Sequence, residues 1–182
     1  GKAEEAVRDS DLDWVIVRPS IIFGDGDEFL GFTMKLTTPY VTGFPGGGKT
    51  PFEPIYVEDF VGMLADCVEE DEHVGETYEI GGPEVLTIGE VAKLGHRAKG
   101  RSLKIVPIPM GLVRVGAKFG DVIPRFPFGG DQYRGLTVDN TTTDNAIGEF
   151  GVEKADLTTL AEYLGLDDRR TEQPSAAASV TN

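Results

Sequence analysis

The sequence of 182 residues is poor in the residues that mark several common classes of protein. Its one cysteine, Cys67, allows no intrachain disulfide. One cysteine and two histidines in the whole sequence make no zinc-binding pattern, so we predict no metal site. Basic residues are also few: 17 Lys and Arg stand against 31 Asp and Glu, a formal net charge of -14. Because nucleic acid and anionic membranes attract cations, neither is an expected partner.

Long apolar runs are missing as well. No stretch approaches the roughly 20 residues of a membrane span, and the amino end does not resemble a signal peptide. We therefore expect no membrane span and a cytoplasmic location. The acidic residues are spread from Glu4 to Glu172, which favours the solvated surface of a halophilic protein over that of an ordinary acidic one.

The order of predicted elements indicates an α/β fold. Helices are predicted over 2–9, 28–36, 58–68, 87–99, 110–119 and 157–164, and strands over 14–17, 55–57, 76–80 and 103–106. The run over 14–17 is typical of a strand buried in a parallel sheet. It ends in Arg18 and Pro19, and because proline cannot donate to a sheet ladder we expect the strand to give way to a loop there. The third helix should bury Phe60, Val61, Leu64, Ala65 and Val68.

One run of the sequence matches a phosphate-binding motif but lacks the helix that this motif requires. The run GFPGGGKT, over 43–50, fits the P-loop pattern G-x-x-x-x-G-K-[ST]. A P-loop must open a helix, and Pro51 and Pro54 would break that helix at its start. We therefore interpret the run as a flexible surface loop.

Isolated polar residues supply no catalytic set. His73 and His96 are expected on the surface, since neither has a nucleophile or an orienting carboxylate beside it in the sequence. Cys67 is expected to be a packed thiol, and the glycine-separated pair Asp25 and Asp27 is too short for a calcium loop. The loop after Pro19 is the predicted ligand site, because ligands of open α/β sheets bind at the carboxyl ends of strands.

Three segments in order resemble one family. They are KAEEAVRDSDLDWVIVRPSIIFGDGD, EPIYVEDF and ETYEIGGPEVLT, and they are similar to the extended and atypical short-chain dehydrogenase/reductases, the NAD-dependent epimerase/dehydratase-like proteins. The likeness extends to the branch with the NAD(P)H-binding accessory subunit of respiratory complex I. It implies a doubly wound Rossmann-type parallel sheet, whose last two strands are 14–17 and 76–80, plus a small α/β substrate lobe.

The resemblance also implies a division of the chain. Residues 1–100 would end the NAD(P)-binding domain with interleaved substrate-lobe segments, 101–166 would form the substrate lobe, and 167–182 a disordered tail. The chain would be a carboxyl-terminal half, with the glycine fingerprint and the Tyr-x-x-x-Lys pair in a missing amino-terminal half. Lys2 would be the motif lysine only in a shifted register. No catalytic residue is thus expected here, and the chain alone should be inactive.

Site roles follow from the same resemblance. The residues expected against the nicotinamide of NAD or NADP are Pro19, Ser20, Ile21 and Ile22, and those on the substrate side are Phe23 and Gly24. Core packing is an equal alternative for the isoleucine pair and Phe23, and Asp59 is expected to cap a helix.

Two functions remain open. The first is an oxidoreductase or nucleotide-sugar epimerase acting on a small molecule or a quinone-like acceptor. The second is a non-catalytic NAD(P)H-binding or assembly subunit of a NADH dehydrogenase-like electron-transfer complex.

Overall fold

The computed structural model describes residues 1–109 and 139–166, which form an α/β fold. The helices are α1 (Lys2–Arg8), α2 (Glu28–Lys35), α3 (Val57–Glu69), α4 (Ile88–Ala98) and α5 (Leu160–Tyr163). The strands are β1 (Ile16–Pro19), β2 (Ile22–Phe23), β3 (Val41–Pro45), β4 (Pro51–Phe52), β5 (Ile55–Tyr56), β6 (Thr77–Ile80), β7 (Leu86–Thr87) and β8 (Lys104–Ile108). Short 3₁₀ helices occur at Asp71–His73 and Ala146–Phe150. The predicted helix over 110–119 and the predicted disordered tail over 167–182 lie outside the described residues.

Parallel pairing dominates the strands. β1 pairs with β6, with Ile16 opposite Thr77 and Pro19 opposite Ile80, so the two strands predicted to be adjacent in a parallel sheet are adjacent. β2 pairs with β5 and β3 with β8, both in parallel, whereas β4 and β7 are antiparallel. In the described parts of the chain no helix is long and apolar enough to cross a membrane.

The first strand ends at the predicted place. β1 includes Arg18 and ends at Pro19, although proline cannot donate to a sheet ladder. The hydrogen bonds to β6 explain this, because the donors are Ile16, to Glu76 O at 3.0 Å, and Ser20, to Ile80 O at 2.8 Å. In a parallel ladder the donors alternate, so the nitrogen of Pro19 faces away from β6, where no N–H is needed.

The buried face of α3 agrees with the prediction at Phe60 and differs from it elsewhere. Phe60 and Met63 are buried, whereas the other predicted core residues are exposed, namely Val61, Leu64, Ala65 and Val68. The helix carries two apolar stripes one residue apart, and the stripe with the larger side chains, Phe60 and Met63, packs into the core.

The glycine-rich run over 43–50 contains the end of β3 and a tight turn. Gly46, Gly47 and Gly48 all have positive φ and reverse the chain between β3 and β4. No helix follows Thr50, so the structure agrees with rejection of the P-loop. The turn is not a free surface loop, however, since Gly48 is buried and its carbonyl accepts the amide of Gly89, at 3.0 Å, at the start of α4.

Several helix ends follow their local signals. Thr87 and Glu90 form a capping box at the start of α4, and Gly165, at φ 68°, closes the turn after α5. Asp27 caps α2 by accepting the amide of Leu30 at 2.7 Å.

Three apolar clusters form the core, and the segment from Ser20 to Gly24 lies between them. The first is Ile55, Phe60, Met63, Tyr78, Ile80, Ile147 and Leu157, the second Phe44, Phe52, Ile88, Ala92 and Leu103, and the third Phe23, Val91 and Leu160. This segment is therefore held from both sides directly after β1.

Candidate functional site

A cavity of about 210 Å³ lies at the carboxyl ends of β1 and β6. It is lined by Arg18, Pro19, Ser20, Glu79, Asn140, Thr141 and Thr142. The position is the one where open parallel sheets bind their ligands. Because whole-ligand pockets usually measure about 300–1,000 Å³, this cavity suits one part of a larger ligand.

The charge of Arg18 is already neutralised. Its Nε donates to Glu4 Oε1 at 3.0 Å, and its Nη1 lies 3.4 Å from Glu79 Oε1. The hydrogen bonds from Arg18 lower the pKa of Glu4 to about 2, and Glu4 in turn raises the pKa of Arg18. The cavity therefore presents hydroxyl and amide groups rather than a free cation, a lining that suits carboxamide or sugar groups better than a pyrophosphate.

Ser20 joins the two sides of the cavity. Its Oγ donates to the carbonyl of Asn140 at 2.6 Å, and the backbone amide of Glu53 is shared between that carbonyl, at 3.2 Å, and Ser20 Oγ, at 3.3 Å. The chain around Asn140 is thereby fastened to the residues that follow β1. The cavity wall is held together by contacts between segments far apart in sequence.

Glu53 forms further hydrogen bonds that hold the same cavity wall in place. The residue is 3% exposed, and its carboxylate accepts hydrogen bonds from the Thr142 amide at 3.0 Å, from the Thr142 hydroxyl, and from Lys154 Nζ at 3.1 Å. Burial alone would raise the pKa of Glu53, but the hydrogen bonds from Thr142 and Lys154 outweigh it and lower this pKa. Asn145 extends the network by exchanging two hydrogen bonds with Gly81, each 3.1 Å long.

The predicted cofactor residues fall into two groups. Pro19 and Ser20 line the cavity, whereas Ile21 packs against the second core cluster and Ile22 against the first. The side chains of both isoleucines therefore pack in the core, which was the alternative to a role in the cofactor site. That either residue contacts NAD or NADP stays a prediction. Lys2 is exposed at the start of α1 and does not line the cavity.

The predicted substrate-side residues are both buried. Phe23 is fully buried, with its ring centroid 5.5 Å from that of Tyr163. At Gly24 a Cβ would overlap Val57, so only glycine fits there without a shift of that side chain. The Tyr163 hydroxyl donates to Asp25 at 2.8 Å, and burial together with this carboxylate raises the pKa of Tyr163 to about 12. Helix α5 thus covers the loop.

Asp59 connects two segments instead of capping α3. The cap position belongs to Tyr56, which makes no side-chain cap, and Asp59 accepts the Thr158 amide at 2.6 Å. The carboxylate holds the segment before α5 against α3.

The predictions for both histidines are wrong, because each is buried. His73 packs against Phe150 and Tyr78, and His96 lies within α4, where its Nε2 is 2.8 Å from Thr37 Oγ1. Cys67 is half-buried against the first core cluster, and burial raises the pKa of its thiol, which agrees with the packed-thiol prediction.

Sequence reasoning missed Glu53, Asn140 and Asn145 as site residues. Glu53 does carry a signal, a single acid enclosed by Pro51, Phe52 and Pro54 in an otherwise apolar run. The two asparagines carry none, since nothing near them in the sequence is periodic or forms a motif.

Comparison with solved structures defines the class of fold. A nucleoside-diphosphate-sugar epimerase from Staphylococcus aureus superposes with a TM-score of 0.57 and 16% identity over 90% of this chain and 56% of its own. The fold is therefore the Rossmann-type α/β fold of the epimerases, as the sequence predicts. No family model matches the chain.

Comparison with curated sequences gives particular relatives. The chain is 32% identical over 158 residues to NADH dehydrogenase [ubiquinone] 1 alpha subcomplex subunit 9, mitochondrial, from Arabidopsis thaliana, covering 80% of this chain and 39% of that subunit. It is 30% identical over 115 residues to the chloroplastic divinyl chlorophyllide a 8-vinyl-reductase of Zea mays, covering 61% of this chain and 27% of that enzyme. The resemblance to the extended and atypical short-chain dehydrogenase/reductases, in the branch with the complex I subunit, is thus confirmed.

Proposed function

We propose that this chain contributes to an NAD(P)-binding protein of the short-chain dehydrogenase/reductase type, acting as an oxidoreductase or nucleotide-sugar epimerase with NAD or NADP. The observation that carries the proposal is the cavity at the carboxyl ends of β1 and β6, where Ser20 and Asn140 present polar groups on a fold of the epimerase class. Its hydroxyl and amide groups, with the Arg18 cation already paired, suit the carboxamide and ribose end of the cofactor or the polar end of a small substrate.

The rest of the binding site would come from outside the described residues. The cavity is small, and the chain spans 39% of the length of its relative from Arabidopsis thaliana, so by this proposal the activity needs residues beyond those that line the cavity. Within the described parts, β1 has β6 as its one strand neighbour, which leaves its other edge for further strands. Those strands would bring the glycine fingerprint and the Tyr-x-x-x-Lys pair, with hydride moving to or from the nicotinamide and the tyrosine acting as acid or base.

A second candidate function is favoured by the curated relative of highest identity named above. That relative is a subunit of NADH dehydrogenase. By this proposal the protein binds NAD(P)H without turnover and assembles with an electron-transfer complex whose acceptor is quinone-like. The two functions share the cofactor site and differ in whether hydride leaves it.

Cofactor binding is tested on the complete gene product. NADH and NADPH are titrated while energy transfer is followed from tryptophan to the reduced nicotinamide. The variant Ser20→Ala removes a hydroxyl that lines the cavity and holds Asn140, and we expect it to raise the dissociation constant several-fold. The control is Ser10→Ala, whose hydroxyl donates to Val7 O at 2.6 Å outside the cavity. If neither nucleotide binds the wild-type protein, the cofactor proposal is wrong.

The choice between the two functions needs a second measurement. Oxidation of bound NADH by a quinone analogue or a carbonyl substrate, with each nicotinamide oxidised as one acceptor is reduced, indicates an enzyme. Tight NADH binding without oxidation, together with co-purification with a NADH dehydrogenase, indicates the assembly subunit.

A further inference from the structure

A buried imidazole faces carboxylates on the side of the molecule occupied by the 3₁₀ turn Asp71–His73. His73 is 3% exposed, stacks on Phe150 with ring centroids 4.9 Å apart, and meets the edge of Tyr78. Its Nδ1 lies 2.9 Å from the Tyr78 hydroxyl. The ring is therefore held in one orientation before any ligand arrives.

The other ring nitrogen lacks a hydrogen bond of ordinary length. His73 Nε2 lies 3.5 Å from Glu70 Oε2, whereas N–H···O bonds measure about 2.7–3.2 Å. Here the atom points toward the carboxylates of Glu70 and Glu72.

The three side chains are close enough to share one ion. Glu70, Glu72 and His73 each offer a ligand atom, and these atoms lie within 4.8 Å of one another. Zinc ligands lie about 2.0–2.2 Å from the metal, so the donor atoms must approach to between about 3 and 4 Å. Both glutamates are exposed and can close this gap of about 1 Å by rotation of their side chains, while the imidazole stays fixed.

The surroundings favour a cation. An open cavity of about 510 Å³ adjoins the turn and is lined by Glu72, His73, Glu76, Thr77, Tyr78, Asp144, Ala146 and Glu149. Four carboxylates face it, and none of its lining residues is a lysine or an arginine. The field of these carboxylates concentrates divalent cations at the mouth of the cavity.

We propose that His73 Nε2, Glu70 and Glu72 bind a divalent transition-metal ion of the zinc class, with the Tyr78 hydroxyl accepting the Nδ1 proton of His73. The imidazole ligand favours such an ion over Mg²⁺ or Ca²⁺, which prefer oxygen ligands throughout. Three protein ligands leave a position for water, and the bond to Tyr78 has the form of the outer-shell contacts that orient metal-binding histidines. The ion would fasten the end of α3 to β6 through Tyr78.

A search for cysteine and histidine spacing does not find this site. Two of its ligands are glutamates in a strongly acidic run, EEDEH, where no single carboxylate stands out. The signal is the burial of His73 among aromatic rings, which only the fold reveals.

The proposal is tested by calorimetric titration of Zn²⁺ into the complete gene product, purified without a histidine tag and freed of metal with a chelator. We expect one ion per chain, a rise in melting temperature on binding, and no comparable response to Mg²⁺. The variant Glu72→Gln alters an exposed side chain and should weaken Zn²⁺ binding at least tenfold without change to the fold. Asp71→Asn is the matched control, an exposed neighbour outside the ligand set, and should leave the affinity within twofold.

Two further variants separate a metal site from a charged surface. His73→Gln should abolish binding, and Tyr78→Phe, which keeps the ring but removes the acceptor, should weaken it about 10- to 100-fold. The proposal is overturned if Zn²⁺ and Mg²⁺ bind equally, if Asp71→Asn lowers the affinity as much as Glu72→Gln, or if the wild-type protein binds no Zn²⁺. If the wild-type protein binds no Zn²⁺, His73 only neighbours Glu70 and is not a metal ligand.

Discussion

The buried carboxylate of Glu53 makes the sharpest prediction about stability. Replacing it with glutamine keeps the shape but removes the charge and turns one acceptor oxygen into a donor. In the wild-type protein the carboxylate accepts two hydrogen bonds from Thr142, one from Lys154 and a longer one, at 3.4 Å, from Asn145 Nδ2. In the variant an amide N–H must face one of these donors in a site that is 3% exposed.

The cost can be worked out from those contacts. A buried donor left without a partner costs about 1–3 kcal/mol, and a hydrogen bond to a charged group is worth about 1 kcal/mol more than a neutral one. Lys154 is about half exposed, so the loss of its ion pair adds less than about 1 kcal/mol. We therefore expect Glu53→Gln to lower the free energy of unfolding by about 3 kcal/mol, a large part of the 5–15 kcal/mol typical of a folded protein.

The assay is urea denaturation followed by the fluorescence of Trp14, the one tryptophan of the sequence. The matched control, Glu153→Gln, changes an exposed glutamate and should have an effect below about 0.5 kcal/mol. Because folding lowers the pKa of Glu53, its contribution is present above its usual pKa of 4.5 and is lost as the pH falls through the lower folded value. The difference in the free energy of unfolding between the wild-type protein and Glu53→Gln should therefore become smaller at acidic pH. A Glu53→Gln protein as stable as the control at pH 7 would refute the reasoning.

Three further predictions concern packing, pH and salt. Gly82→Ala places a Cβ against the carbonyl oxygen of Pro54 and should lower the free energy of unfolding by about 3 kcal/mol or more. Gly31→Ala lies in open space on α2 and should raise the free energy of unfolding by up to about 1 kcal/mol. The midpoints of urea denaturation compare the two variants. Burial, with Arg101 and Lys99, lowers the pKa of His96, so the unfolded chain takes up the proton first and stability should fall as the pH drops below 6.5, by at most about 1.4 kcal/mol per pH unit. His96→Gln should flatten that slope, and an unchanged slope would contradict the assignment. The net charge of -14 predicts a higher melting temperature in molar KCl than in dilute buffer, and the reverse order would reject the halophilic hypothesis.

Local signals predicted those parts of the fold that depend on neighbouring residues. The capping box of Thr87 and Glu90 is an example, because the residues that make its bonds lie three positions apart. The end at Gly165 is another, since a left-handed residue is needed there whatever the helix packs against. The parallel pairing of β1 and β6 was expected from the family resemblance, and no pattern within either strand specifies its partner.

Burial was predicted less well, because distant residues decide it. On α3 the stripe that contains Phe60 and Met63 faces the core, and Asp59 on the same helix binds the amide of Thr158, 99 positions away. His73 was expected in solvent because its sequence neighbours are acidic, yet Phe150 covers its ring. Neither contact leaves a trace in the periodicity of the segment itself.

The wall of the candidate cofactor cavity shows why fold and ligand are separable in this protein. Ser20 follows a strand that the fold class requires, but its partner Asn140 is 120 positions further along the chain, in a segment held to the sheet by Glu53. The strands can therefore be kept while residues 139–142 change, and the cavity would then present different groups at the same place. An epimerase fold shared at 16% identity therefore accounts for the arrangement of the strands, whereas the groups that line the cavity depend on the residues around Asn140.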